Sequence, residues 1–458
     1  MLNELTCFKA YDVRGELGVN FDGEVAYRIA RAFVVRLAAK SVVVGYDARE
    51  SSQFISRRIC QAIRDGGADV FDLGLCGTEE MYFSTGKLKA SGGIQITASH
   101  NPIGYNGLKM IGMGAKPLDP NKEILDIKSI AEKNYFEKVK SKGSYEHIGQ
   151  HAREAYVQRV ISFTDLSKIK PMKIVINSGN GAAGPTFDKI SKEIAKTSKK
   201  LEFVRMFHEP NSSFPNGIPN PMLKENQMVT SRRILSENAD FGIAFDGDFD
   251  RCFFFDDKGK FIHGEYVIGL LLGIFLSKEI GGSIVHDPRV VWNIKNLISQ
   301  FGGLAVQSKT GHAFIKQKMR EKNATYGGEI SGHHYFRDFF YCDSGMIPWL
   351  VLCEALGRQD EPLSMIIAQR EKLFPSLGEM NFRVKNPVSS INKVIKWCEK
   401  SAISLDFTDG VSAEFSDWRF NLRLSNTEDL VRLNLETSGS TQKVKILSDT
   451  IKNILLSD

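Results

Sequence analysis

Strand-like and helix-like segments alternate along most of this chain, and the alternation begins afresh twice. In the first round "SVVVGYD" reads as a strand, "FISRRICQAIRDGG" as an amphipathic helix closed by glycines, and "ADVFDLG" and "GIQITAS" as further strands. Near Pro171 the pattern resumes with "MKIVINSG", a helix from Pro185, "LEFVRMFH", a helix around Ile234 and "ADFGIAFDGD". A third round begins with the apolar helix after Glu265. It runs through "SIVHDPR", "VVWNIKNLISQFGG", "LAVQSK", "HAFIKQKMREKN" and "ATYGGEIS". Strands separated by helices of this length need crossover connections, so each round predicts a largely parallel sheet flanked by helices.

The C-terminal part, roughly the last ninety residues, departs from this rhythm. "MNFRVK" precedes a helix at "SSINKVIKWCEKSA", "VSAEFSDWRFNLRLS" and "LVRLNLET" read as adjacent antiparallel strands, and a helix closes the chain. The expected fold class is α/β: three α/β domains with mixed, largely parallel sheets plus a C-terminal α+β domain. A length of 458 residues exceeds one ordinary core and suits that count. The domains are drawn at 1–150, 151–256, 257–366 and 367–458.

Bulk properties remove several functions. The net charge of +6 is spread along the chain, with no basic helix or aromatic stacking motif, so nucleic acid is not an expected partner. A modest positive balance suits anionic metabolites. The seven cysteines are scattered without a CxxC, which suggests neither a disulfide framework nor a zinc ribbon. The start has no apolar signal core, and the longest apolar run, "YVIGLLLGIFL", is too short to span a bilayer. A soluble, cytoplasmic protein with no membrane partner is expected.

Five segments place polar residues where a strand ends, which is where ligands bind in α/β sheets. "GIQITASHNPIGYNGLKM" delivers Ser99 and His100 at the lip of a strand. "FGIAFDGDFDRCFFF" brings Asp246, Asp248 and Asp250 at alternate positions, followed by Arg251. Three carboxylates so close repel unless a cation neutralises them, and hard oxygen ligands suit Mg2+. An EF-hand is excluded because Arg251 stands where that loop needs glycine; an acidic hairpin turn is the plainer alternative.

"INSGNGAAGPTF" spaces Gly179, Gly181 and Gly184 as GxGxxG between a strand and a helix. That is a dinucleotide-binding fingerprint and the strongest rival, a nucleotide-dependent oxidoreductase; a tight turn needing close backbone approach explains the glycines equally well. "SKTGHAFIK" and "GGEISGHHYFRD" crowd Lys309, His312, Glu329, Ser331, His333 and His334 into two loops, with glycines that let backbone approach a polyhydroxylated ligand. "RLSNTEDLVRL" sets Arg423, Ser425, Asn426 and Thr427 on a short turn, a donor set suited to phosphate. If Ser99 carries a phosphoryl group, the acidic loop has a purpose, since a metal offsets a near-dianion and polarises phosphorus. A Ser-His-Asp hydrolase fits poorly, because Ser99 lacks the GxSxG elbow.

With these segments assembled, the chain resembles the α-D-phosphohexomutase superfamily over essentially its whole length. The resemblance rests on "KAYDVRG", "TASHNP", "NSGNGAAGP", "DGDFDR", "SKTGH", "GGEISGHH" and "RLSNTE", in that order. "HDPR" and "GHHYFRDF" resemble the phosphomannomutase branch more than the phosphoglucomutase branch. The resemblance implies four domains around a central cleft and a reversible transfer of phosphate between mannose O1 and O6 through phosphoserine and a 1,6-bisphosphate. It implies Ser99 as phosphoserine, with Asp246, Asp248 and Asp250 binding Mg2+ together with its phosphoryl oxygen. Glu329 and Ser331 would grip sugar hydroxyls, and Arg423, Ser425, Asn426 and Thr427 the phosphate not being transferred, with Arg432 in the same substrate-binding set.

Arg14, Lys109, Arg251, His312 and His333 fall on positions that line the cleft, with Lys309 counted among the substrate contacts and His100 among the catalytic groups. Lys109, ten residues beyond Ser99 on the same loop system, is the expected proton carrier and His333 the alternative. Arg289 is a further anion contact. A hexose 1,6-bisphosphate would serve as activator, sugar phosphates as the small-molecule partners, and the assembly would be a monomer or homodimer. One departure is Asp429, where the family usually has proline, an added anion beside the phosphate loop. A phosphoglucomutase or dual-specificity enzyme and a non-catalytic sugar-phosphate binder remain as alternatives.

Overall fold

The computed structural model describes residues 4–424 and 430–457. Its strands fall into four sheets, one for each stretch of alternation and one for the C-terminal region. The chain divides into two compact units, Met1–Phe261 with His333–Gln359, and Ile262–Gly332 with Asp360–Asp458.

In the first unit, Ser41–Tyr46 runs parallel to Asp69–Leu75 on one side and to Gly92–Ile96 on the other. The valines of Ser41–Tyr46 are wholly buried, which is what a central strand covered on both faces requires. Helix Gly23–Leu37 starts where the Asp22 side chain accepts from the Glu24 and Val25 amides, and ends at Ala38 in left-handed conformation. It packs Ile29, Ala30 and Phe33 into a core shared with Ile55, Ile59 and Ile63 of helix Glu50–Asp65. In the second sheet Phe241–Phe245 runs antiparallel to Cys252–Phe255 and parallel to Met172–Asn177, which in turn runs parallel to Leu201–Met206.

One placement differs from expectation. Lys109 lies not on a loop but on strand Tyr105–Gly112, which returns antiparallel along Gly92–Ile96 with Lys109 opposite Gln95. The Ser99 loop is thus the bend of a hairpin, and Val13–Glu16, carrying Arg14, pairs antiparallel on its far side. Helix Met346–Gly357 had no amphipathic signature to announce it because it is apolar all round, and it is buried almost throughout.

In the second unit, Ser283–His286 lies between Leu304–Gln307 and Tyr326–Gly328, all parallel. Helix Gly264–Lys278 turns Gly269 and Gly273 toward Asn293, Leu297 and Phe301, in and just beyond helix Trp292–Gln300, so the two backbones approach closely. The last sheet is wholly antiparallel, ordered Met380–Arg383, Leu430–Thr437, Trp418–Leu424, Val411–Glu414 and Ser404–Asp406. "VSAEFSDWRFNLRLS" is therefore two strands, not one: the chain reverses at Ser416-Asp417, and Phe415 stacks on Trp418 at 3.9 Å between ring centroids. All seven cysteines are buried thiols. Among the described residues no helix is long and apolar enough to cross a membrane.

Candidate active site

Strand Gly92–Ile96 ends one residue before Thr97, whose hydroxyl accepts the Ser99 amide at 2.8 Å. Ser99 adopts φ of +46°, a left-handed conformation that costs a non-glycine residue about 1 kcal/mol or more. Arg49 helps to hold it there. Its guanidinium donates to the main-chain carbonyls of Ser99 at 3.0 Å, Asn101 at 2.5 Å, Pro102 at 2.8 Å and Tyr105 at 3.1 Å. Asp47 accepts the Arg49 amide and the Ser52 hydroxyl, anchoring the clamp from below. Arg14 adds a bond to the Asn101 side chain at 2.6 Å and one to the Ala98 carbonyl at 3.3 Å. Arg49 and Asp47 are absent from the residues expected from sequence, although "GYDARESS" placed both at a strand end.

The acidic turn links strands Phe241–Phe245 and Cys252–Phe255, and all three aspartates are buried. Ser99 Oγ donates to Asp246 Oδ2 at 2.6 Å, and Arg251 Nε donates to the same oxygen at 2.9 Å. Arg251 Nη2 also reaches His100 Nδ1, which lies 3.0 Å from Ser99 Oγ. Because arginine can only donate, that contact requires a lone pair on Nδ1 and hence a neutral imidazole. Burial, then Arg251 and Arg14, hold His100 well below the ordinary histidine range, in agreement. Lys109 Nζ bridges Asp248 at 2.6 Å and Asp250 at 2.5 Å, and the Thr78 hydroxyl donates to Asp248. Burial disfavours the Lys109 charge, but Asp248 and Asp250 outweigh it and hold the amine above the usual lysine value.

Three carboxylates face one ammonium and one guanidinium here, so the cluster carries an excess of negative charge. Burial and the neighbouring Asp248 accordingly push the Asp250 carboxyl above the usual aspartate range. Oxygens of Asp246, Asp248 and Asp250 lie within 4.8 Å of one another, and Oδ1 of both Asp248 and Asp250 is buried with no hydrogen-bond donor among the described residues. Buried acceptors without donors, all hard oxygens, fit a divalent cation. His333 Nδ1 stands 2.9 Å from Asp343 and 3.9 Å from Asp250; Asp343, fully buried, was not expected from sequence.

In the second unit Glu329 is buried and accepts the Gly311 amide at 2.9 Å, joining the two loops that carry Lys309, His312 and Ser331. His312 is the first residue of helix His312–Lys322, while Lys309 is exposed. Arg289 is buried and held by both oxygens of Asp287 at 3.0 and 2.8 Å, with Ser331 at 3.5 Å. Arg423 and Arg432 lie opposite each other on antiparallel strands, and both pair with Glu379, another residue missed from sequence. Ser425, Asn426, Thr427 and Asp429 lie outside the described residues.

The glycine-rich turn has a structural occupant. A Cβ on Gly181 would meet the Gly247 carbonyl oxygen at 2.7 Å, and the Ala182 amide donates to that oxygen at 3.0 Å. Gly184 abuts the His208 carbonyl. The turn thus seats the acidic loop rather than a pyrophosphate, and nothing favours the dinucleotide alternative.

Four family models match successive stretches: phosphoglucomutase/phosphomannomutase alpha/beta/alpha domains I, II and III at residues 6–138, 154–259 and 263–374, and the C-terminal domain at 379–454. The phosphomannomutase of Escherichia coli K12 is 46% identical over 456 residues, 99% of this chain and all of the relative. That of Vibrio cholerae is 48% identical over 459 residues, 99% of this chain and 98% of the relative. Among solved structures, a phosphoglucomutase/phosphomannomutase family protein from Burkholderia thailandensis superposes with a TM-score of 0.87 at 30% identity, covering 98% of this chain and 96% of that one. A serine held against a carboxylate cluster, four matched domains and relatives alike from end to end agree: the chain belongs to the phosphoglucomutase/phosphomannomutase family.

Proposed function

We propose that the chain is a phosphomannomutase that interconverts α-D-mannose 1-phosphate and D-mannose 6-phosphate. The observation that carries this is the 2.6 Å bond from Ser99 Oγ to Asp246 within a buried three-aspartate cluster, in a chain whose full-length relatives bear that name. Phospho-Ser99 is the donor. Its Oγ–P bond breaks as the sugar O6–P bond forms, and the O6 proton passes to a base, giving the 1,6-bisphosphate. After the intermediate turns, the phosphate at O1 returns to Ser99 and the proton goes back to O1.

Each residue then has a task. Phosphorylation adds nearly two negative charges beside Asp246, Asp248 and Asp250, which Lys109 and Arg251 alone do not balance. The three aspartates would hold Mg2+, whose charge offsets that of the phosphoryl group. Lys109, kept charged by its two aspartates, stabilises the oxygens in transfer; His333, braced by Asp343, is the group that accepts the proton and returns it. Arg14 and Arg49 fix the loop, and His100, kept neutral, fills the space beside Ser99. Glu329 and Ser331 contact sugar hydroxyls, while Arg423, Ser425, Asn426, Thr427 and Arg432, with Arg289, Lys309 and His312, serve the phosphate at rest. A hexose 1,6-bisphosphate primes Ser99, and the product feeds GDP-mannose synthesis in the cytoplasm.

The test is 31P NMR of mannose 1-phosphate and glucose 1-phosphate incubated together with the protein, Mg2+ and a trace of hexose 1,6-bisphosphate. Faster conversion of the mannose signal to the 6-phosphate supports the assignment. Faster conversion of glucose reassigns the sugar, and no conversion of either rejects the mutase.

A further inference from the structure

Glu379 occupies an unusual place for an acidic residue. It immediately precedes strand Met380–Arg383, whose partner strand Leu430–Thr437 carries Arg432. Its two carboxylate oxygens are divided between two guanidiniums: Oε2 lies 2.9 Å from Arg423 Nη2, and Oε1 lies 3.2 Å from Arg432 Nη1. Arg289 Nη1 stands further off, 3.7 Å from Oε2, and is already paired with Asp287. Among the described residues Glu379 is the one carboxylate that pairs with Arg423 or Arg432. The Nε atoms of both arginines are buried without an acceptor there, so their donor capacity is not exhausted.

Two guanidiniums side by side repel each other, and a bridging anion is what keeps them together. We propose that Glu379 is the internal counter-anion of the phosphate site, a positioning residue whose carboxylate holds Arg423 and Arg432 while no sugar phosphate is bound and yields them when one arrives. This rests on the reading above that these arginines bind the phosphate not being transferred. A phosphate has more charge and one more acceptor oxygen than a carboxylate, so it can displace Glu379; a tethered carboxylate, always at hand, competes with it. That competition suits a reaction whose bisphosphate must let go and rebind by its other end. Each time the phosphate departs, Glu379 returns to the arginines and keeps them from recapturing it in the same orientation.

Inorganic phosphate binding to the full chain, measured by titration calorimetry, tests the idea together with KM and kcat for mannose 1-phosphate. Glu379→Gln is expected to bind phosphate about tenfold more tightly and to lower KM without raising kcat. Glu379→Asp, which keeps the charge but withdraws it by one methylene, should fall between. In Glu379→Ala the tighter binding should be reversed by added acetate, which can occupy the vacated place. Unchanged or weaker phosphate binding in the folded Gln or Ala variant overturns the proposal and leaves Glu379 as a brace. Arg423→Gln separates the two levels: if it binds phosphate as the wild type does, the phosphate-site reading itself fails. If it loses phosphate while Glu379→Gln gains none, only the role of Glu379 is lost.

Discussion

The two charged clusters are built with opposite signs. Around Ser99 three buried carboxylates outnumber one lysine and one arginine, whereas in the second unit Arg423 and Arg432 converge, among the described residues, on a single glutamate. The first has a shortfall of positive charge that a divalent cation would make good. The second has a surplus that an anion would make good. They also differ in what holds them. The Ser99 loop is gripped through its main-chain carbonyls by Arg49, so Ser99 Oγ is fixed by backbone; the arginine cluster is held by side chains on two strands, which under the proposed function would adjust to either end of a sugar. A site that transfers a group needs precision, and a site that holds the other end needs tolerance.

The largest expected effect comes from removing the reacting oxygen. Ser99→Ala should lower turnover by about a millionfold, the scale seen when a nucleophile is deleted. It should also abolish labelling of the protein by hexose 1,6-bisphosphate carrying isotopic phosphate, while leaving inorganic phosphate binding intact if the two clusters have separate tasks. Metal removal comes next. Chelation should reduce turnover about a thousandfold, restored by Mg2+, because the phosphoryl group would otherwise face uncompensated carboxylates. Asp248→Asn should weaken metal binding by about tenfold or more, measured calorimetrically; unchanged binding would move the metal elsewhere.

Arg49 sharpens the contrast between backbone and side-chain control. Arg49→Lys retains the charge but cannot donate to four carbonyls in the same plane. Turnover should fall about a hundredfold through misplacement of Ser99 with little change in KM. An equal rise in KM would mean that the clamp serves binding instead.

Much of this was legible in the chain. The strand–helix alternation is physical, since helices of that length force parallel crossovers, and the alternate aspartates after a strand could hardly be neutralised without a cation. What escaped did so for reasons of distance and pattern. Arg49 acts on a loop fifty residues away, and Asp343 on a neighbour ten residues back across a short antiparallel pair, so no local motif contains either interaction. Glu379 sits just outside a strand and meets Arg423 and Arg432 only through strand pairing. Lys109 reads as part of the Ser99 loop system, but "YNGLKMIG" is a strand buried on both faces, and such a strand carries no alternation to mark it.

The smallest effect concerns pH. Near the arginine cluster His286 lies buried at the end of strand Ser283–His286, Nδ1 at 2.8 Å from the Asp287 carbonyl and Nε2 buried without a hydrogen-bond partner among the described residues. Burial, with Lys295 and Arg419 adding to it, pushes the imidazole down to about 4. The unfolded chain takes up this proton near pH ~6.5, but the folded protein resists it until about pH 4. Stability from the neutral imidazole is therefore complete above the unfolded value and declines as pH falls through the interval between them. By pH ~5 the loss should be about 2 kcal/mol relative to pH ~8. Denaturant unfolding at the two pH values measures it. His286→Asn, whose amide can still donate to the Asp287 carbonyl, should lose that share of the pH dependence. Parallel curves for variant and wild type would place the acid sensitivity elsewhere, first of all in the carboxylates around Ser99.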